Sequence, residues 1–216
     1  MFAMWEYYSP TDGEIGEALA PFGVRPSNEM SERIREYIHI LLQWNEKISL
    51  TAIVDVYEVL QRHFGESMFA ALAVPVERGR LADVGSGGGF PALALRMIRP
   101  ELQVALIESN GKKAAFLGEV VRRLGMSGVE VLKCRYEECS VADHSVDFVT
   151  SRAVEPGPKF LKWAYRKLTE HGRVVLWTVR GRVEGIGSVS GWVWDEPIGI
   201  PLSRSRVLLV GRALEH

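Results

Sequence analysis

The stretch DVGSGGGFP, Asp83 to Pro91, decides how this 216-residue chain is read. It follows the apolar pair Leu81-Ala82 and leads into ALALRMI, Ala92 to Ile98. Five of its nine residues are Gly or Pro, so the peptide backbone is left bare between two ordered elements. A strand, a glycine turn and a helix in succession build a ligand site at the carboxyl end of a sheet. Pro91 suits the first turn of that helix, because its fixed φ is helical and its missing N–H is not needed there. The helix must stop near Arg99, ahead of Pro100.

Upstream, the chain reads as helices. Thr11 to Phe22 forms a short one ending at Gly23. Ser27 caps a longer one, in which Met30, Ile34, Tyr37, Ile38, Leu41, Trp44 and Ile48 recur at helical spacing. Asp55 and Glu58 start a third, which carries Val59, Leu60, Phe64, Met68 and Leu72 towards Pro75. Downstream, strands and helices alternate. Strands are expected over Leu81–Val84, Leu102–Ile107, Val129–Cys134, Ser145–Thr150 and Arg173–Val179. Helices are expected over Lys112–Leu124 and Pro158–Thr169. Gly181 to Gly191 is rich in Gly and Ser and is expected to be mobile; Trp192–Trp194 and Arg206–Val210 can close the sheet. The alternation implies an α/β fold, a mostly parallel sheet with helices on both faces. The expected division is an N-terminal helical subdomain over 1–76 and a ligand-binding domain over 77–213, with 214–216 as a tag remnant.

Composition is that of a folded soluble protein, 47% hydrophobic and 25% charged, with a net charge of −1. No global basic character points to DNA. Residues 150–183 nevertheless hold eight bases against two acids, which is either a polyanion footprint or a solvated helix face. No run reaches a membrane-spanning length, and MFAMWEYYSP lacks the basic start of a signal peptide. Cys134 and Cys139 have no metal-site spacing, so neither a metal nor a disulfide is expected, and a cytoplasmic location fits.

Two cofactors compete for the glycine turn. The dinucleotide fingerprint wants Gly or Ala where Phe90 stands. The pattern acid-x-G-x-G-x-G fits Asp83, Gly85, Gly87 and Gly89, with Ser86 between, and resembles motif I of the class I S-adenosylmethionine methyltransferases. Glu108, ending the second strand, can accept from ribose hydroxyls in either case. Tyr136 and Glu137, after the third strand, either border an adenine or belong to an ordinary surface loop. Absences narrow the acceptor. The chain has neither an (Asp/Asn)-Pro-Pro-aromatic loop nor a Pro-Cys nucleophile; SRAVEPGP, Ser151 to Pro158, follows the fourth strand instead. A ring nitrogen such as guanine N7 has a free lone pair and no proton to remove, so it needs no general base. Arginine forks suit guanine edges and phosphates.

LLQWNEKISLTAI (Leu41–Ile53), Arg62-His63 with Glu66-Ser67, ADVGSGGGFPALALRMIRP (Ala82–Pro100), SNGKKAAFL (Ser109–Leu117), SRAV (Ser151–Val154) and GRVVLWTVRG (Gly172–Gly181) together resemble the RsmG/GidB family (glucose-inhibited division protein B). The resemblance covers roughly residues 30–182. It implies a class I, Rossmann-like methyltransferase with an N-terminal helical extension, which uses S-adenosylmethionine to form 7-methylguanosine in the 530-loop region of 16S rRNA. It implies Gly85 and Phe90 at the methionine and ribose end of the cofactor, Tyr136 and Glu137 at its adenine, and Arg152 facing the methyl group and the guanine. Lys112, Arg135 and Arg180 would be basic contacts to RNA or cofactor, with His63 either a substrate contact or a core histidine. The family usually carries Asp where Glu66 stands and Lys-Gly where Arg180-Gly181 stands. The implied partner is 16S rRNA or the 30S particle, approached by a monomer. Another acceptor, or a non-catalytic rRNA-binding role, stays open, as does a nicotinamide oxidoreductase disfavoured by Phe90.

Overall fold

A computed structural model describes residues 8–214; the expectations about the first seven residues and about Glu215-His216 lie outside them. Helices come first, and α1, α2 and α3 are each started by a side chain that satisfies free backbone N–H groups. α1 (Asp12–Leu19) opens with a reciprocal capping box between Thr11 and Glu14, and a tight turn at Ala20–Phe22 ends on Gly23. α2 (Asn28–Asn45) is capped by Ser27, whose Oγ accepts from Met30 N at 3.2 Å. α3 (Val56–Val59) is capped by Asp55. The chain then widens into a π-helical segment, Leu60–Gly65, and returns to the α form in α4 (Glu66–Ala73).

The strands are β1 (Gly79–Val84), β2 (Leu102–Ile107), β3 (Val129–Leu132), β4 (Val146–Ser151), β5 (Leu168–Val179), β6 (Trp192–Trp194), β7 (Ile198–Gly199) and β8 (Arg206–Ala213). They form one sheet in the order β3-β2-β1-β4-β5-β8-β6, with β7 also paired to β8. β1 to β5 run parallel, and β8 runs antiparallel to β5. The connecting helices are α5 (Ala92–Ile98), α6 (Gly111–Arg123), α7 (Pro158–Lys167) and α8 (Arg180–Gly187). Strand order reverses between β1 and β4, so a crevice opens beyond their carboxyl ends, where both the glycine turn and Arg152 lie.

One core lies on each face. The larger joins Ile15, Tyr37, Phe64 and Met68 of the helical region to Leu81, Leu93, Phe116 and Leu208 around the sheet. The other packs Phe160, Leu161 and Ile186 against Val84, Val149 and Leu176. Burying each such side chain contributes about 1.5–3 kcal/mol. Among the described residues no helix is long and apolar enough to cross a membrane.

Several boundaries differ from the sequence reading. α2 ends before Ile48, and the third helix is interrupted by the π segment. β3 stops at Leu132, leaving Cys134 outside any strand. α7 ends at Lys167 because β5 begins directly at Leu168, which pairs with Val146. Most of the segment expected to be mobile is instead ordered as α8: Ile186 is buried, with Val183 packed beside it. Tertiary burial there outweighs the low helix propensity of glycine.

Candidate active site

The glycine turn is shaped by close approach. Gly85 N and Ser86 N donate to the Ile107 carbonyl at 2.9 and 3.3 Å, pulling the turn onto the end of β2. Gly85 adopts φ +75°, and a Cβ there would lie 2.7 Å from Val154 Cγ2 in the loop after β4. Gly89 adopts φ +84°, and its Cβ would run into the Tyr37 hydroxyl and lie 2.7 Å from Leu93 Cδ1. Only glycine meets both the backbone and the steric demand at these positions. Ser86 is buried, and its Oγ donates to the Asp83 carbonyl at 3.0 Å.

Two carboxylates frame the turn. Asp83 is buried; its Oδ1 accepts from Thr150 Oγ1 at 2.6 Å, while Oδ2 has no partner among the described residues. Burial raises its pKa to about 6, against the opposing hydrogen bonds from Thr150 and Ser86. Glu108 accepts from Gly87 N at 2.9 Å on Oε2 and from Asn110 N at 2.7 Å on Oε1. Each carboxylate oxygen accepts about two hydrogen bonds, so one place on each stays open towards a ligand.

A cavity of about 350 Å³ borders this turn. It is bounded by Gly85 to Gly88, Thr51, His63, Phe90, Glu108, Lys113 and Arg152. A second, of about 330 Å³, lies on the other side of Gly85 against Ile107, Ser109, Arg135, Tyr136, Glu137 and Val154. Tyr37 stacks on Phe90 at 5.1 Å and His63 at 4.9 Å. Phe90 is buried, so it offers the cavity little of its surface. His63 Nε2 lies 2.8 Å from Thr51 Oγ1, and Nδ1 has no partner among the described residues. Burial, reinforced by Arg152 and Arg62, lowers the His63 pKa to about 3 and keeps the ring neutral.

Arg152 stands just past β4. Its Nη2 donates to the Arg62 carbonyl at 2.7 Å and lies 3.4 Å from Glu66 Oε2, while Nη1 is buried without a partner among the described residues. Desolvation lowers its pKa, Glu66 opposes that shift, and Arg62 and Arg206 add to it.

The structure therefore gathers Asp83, Gly85, Ser86, Gly87, Gly89, Phe90, Glu108, His63 and Arg152 around one turn. Tyr136 and Glu137 border the neighbouring cavity, where Tyr136 meets Phe160 and Trp163 edge-on. Arg135, exposed, bounds it too. Lys112 is exposed on the first turn of α6, and its neighbour Lys113 bounds the first cavity instead. Arg180 is exposed at the start of α8 and away from both cavities. Sequence reading did not assign Thr51, Lys113 or Arg206 to the site; Thr51 and Lys113 lie within the LLQWNEKISLTAI and SNGKKAAFL stretches, whereas Arg206 lies in none.

The model of the GidB family, described as rRNA small subunit methyltransferase G, matches residues 30–184. The ribosomal RNA small subunit methyltransferase G of Roseiflexus sp. strain RS-1 is 36% identical over 203 residues, covering 88% of this chain and 86% of the relative. The protein of the same name from Mesoplasma florum is 33% identical, covering 82% of this chain and 70% of its own length. Among solved structures, a SAM dependent methyltransferase from Aquifex aeolicus superposes with a TM-score of 0.58 at 19% identity, over 68% of this chain and 89% of its own. A ribosomal protein L11 methylase from Lactobacillus delbrueckii subsp. bulgaricus gives 0.57 at 15% identity, over 72% and 80%. At those identities the likeness concerns the fold.

Proposed function

Because this chain belongs to the GidB family, rRNA small subunit methyltransferase G, we propose that the guanine N7 in the 530-loop region of 16S rRNA is the atom it methylates. It is an S-adenosylmethionine-dependent rRNA methyltransferase. The proposed substrate form is the rRNA within the 30S particle, met by a monomer in the cytoplasm.

The observation that carries the N7 reading is the absence of a free base in the acceptor cavity. Among the described residues bounding it, the only carboxylate is Glu108, which is held by two backbone N–H groups. His63 is held far below its ordinary pKa, so it is a poor proton acceptor. An acceptor that must shed a proton finds no help here, whereas N7 needs none.

The residues present fit the cofactor. The two cavities flanking Gly85 provide for the adenine on the Tyr136 side and for the ribose and methionine end on the Phe90 side. Glu108 keeps one acceptor place on each oxygen for the ribose hydroxyls, and Asp83 Oδ2 is a buried acceptor without a donor. When bound, the cofactor supplies an electrophilic methyl group on a sulfonium. Arg152 would hold the guanine by O6 and leave the N7 lone pair uncapped; Thr51, His63 and Phe90 would wall the base and exclude water. Aligning the acceptor is then the main catalytic contribution of the chain.

The test is transfer of tritiated methyl from the cofactor to 30S subunits lacking the modification, followed by aniline cleavage at 7-methylguanosine. Label released with cleavage in the 530 loop is the expected result. Label at an adenine, in protein or nowhere overturns the N7 assignment.

A further inference from the structure

Four residues from three parts of the chain meet around Arg152, which bounds the acceptor cavity. Glu66, the first residue of α4, is buried, with 1% of its side chain exposed. Arg206, the first residue of β8, donates to Glu66 Oε1 through Nε at 2.9 Å and Nη2 at 2.7 Å. Arg152 approaches Oε2 at 3.4 Å, and Arg62 Nε lies 3.5 Å from Oε1. The Trp177 indole donates to the Glu66 backbone carbonyl at 3.2 Å and anchors the start of α4 to β5.

The charges do not balance. Three guanidiniums share one buried carboxylate, and among the described residues the only other acid on them is the half-exposed Glu58, 3.0 Å from Arg62. At least one positive charge stays unmatched, two if only buried groups are counted. Unmatched charge held out of water is costly, so a purely structural cluster would be expected to match its carboxylates to its arginines. Arg62 Nε and Arg152 Nη1 are also buried donors without hydrogen-bond partners among the described residues. The arginine side chains keep between 19% and 36% of their surface exposed, so an anion can reach them. Guanidinium forks match the geometry of phosphate oxygens.

We propose that Arg62 and Arg206, gathered with Arg152 on Glu66, form an oxyanion site that takes a backbone phosphodiester while Arg152 faces the target guanine. This rests on the rRNA reading above. The phosphate fixes the register of the RNA while the cavity takes the base. Glu66 is a positioning residue: it aims the three forks and touches no RNA.

The experiment compares Arg206→Gln and Arg62→Gln with the wild type in three measurements. These are binding of the 30S subunit between about 50 and 200 mM KCl, calorimetric affinity for S-adenosylhomocysteine, and the KM-against-kcat split for methyl transfer. For each variant the expected result is a 30S affinity lower by about tenfold and a log–log salt slope shallower by about 0.7 to 0.9. The loss should fall on the KM for 30S, with S-adenosylhomocysteine affinity unchanged. Arg206→Lys should recover the salt slope and part of the affinity, because it keeps the charge without the fork. An unchanged slope in either folded variant overturns the proposal. Weakened S-adenosylhomocysteine binding assigns the oxyanion to the cofactor carboxylate and overturns it too. If both Gln variants fail to fold, the cluster is a structural hub and the proposal falls. Wild type that binds no 30S with any salt dependence refutes the rRNA reading itself, a result separate from all of these.

Discussion

The Tyr37 hydroxyl donates to the Gly88 carbonyl at 2.7 Å, so a residue in the middle of α2 holds the glycine turn in place. The same ring stacks on Phe90 and meets Phe64 edge-on. The helical region is thereby part of the ligand site, and the turn depends on it for its shape. Tyr37→Phe keeps the ring and removes the hydrogen bond. It should lower stability by about 1–2 kcal/mol in denaturant titration and weaken S-adenosylhomocysteine binding several-fold by calorimetry. Unchanged binding would show that the turn holds its shape unaided.

Gly89→Ala should be far more damaging. A left-handed backbone costs a side chain about 1–2 kcal/mol, and crowding against Tyr37 and Leu93 adds about 1–3 kcal/mol. Thermal melting should show a loss above that of Tyr37→Phe. A variant as stable as the wild type would mean that the turn relaxes freely.

Asp83 gives a stability signature with pH. Its folded pKa, about 6, lies above the ordinary carboxyl value of 3.8. The folded state therefore holds the proton more tightly between those values, and the contribution of Asp83 to stability falls as pH rises through that window. Above about pH 6 the buried charge costs on the order of 3 kcal/mol in the cofactor-free protein. Asp83→Asn should gain on the wild type as pH goes from 4 to 7.5, while binding the cofactor more weakly. A pH-independent stability difference between the two proteins would remove Asp83 as the source.

His63 works in the opposite sense. Its folded pKa, about 3, lies below the ordinary imidazole value of 6.5, so the unfolded chain takes up the proton first and stability is lost as pH falls below about 6.5. His63→Gln should blunt acid unfolding between pH 6 and 4. Methyl transfer should show no limb from His63 between pH 6 and 8, since the ring is neutral throughout. A kinetic pKa near 6.5 that vanishes in His63→Gln would contradict a neutral wall and point to a base.

Arg152→Ala should reduce methyl transfer by at least about 100-fold if alignment is its contribution, with the fold retained because Arg62 and Arg206 still pair with Glu66. Arg152→Lys should recover little, since a point charge lacks the planar fork. Turnover within a few-fold of wild type in the folded Ala variant would remove Arg152 from the centre of the site.

The local signals in the sequence carried most of the fold. Ser27 and Asp55 mark helix starts that the structure keeps, and β2 runs from Leu102 to Ile107 as its apolar run indicates. Asp83, the turn and Glu108 stand where a strand–turn–helix reading puts them. What escaped was non-local. Glu66 and Arg206 are 140 residues apart, and no pattern near either points to the other. α8 hides behind its own glycines, because its order comes from Ile186 buried against the sheet. Lys112 and Lys113 are alike in sequence; only the pitch of α6 decides which one meets the cavity.

The π segment Leu60–Gly65 fixes a phase relation along one polypeptide rod. Each residue of an α-helix turns the chain by about 100°, and a π bulge accommodates one residue more than the α form would. Arg62 and His63 lie inside the bulge and Glu66 just beyond it. Shortening the segment by one residue would leave a smooth helix. It would also swing Glu66 away from Arg152 and Arg206 while α3 stayed seated on its Asp55 cap. The bulge is thus an insertion that the molecule cannot lose without unsetting the relative bearing of its two halves.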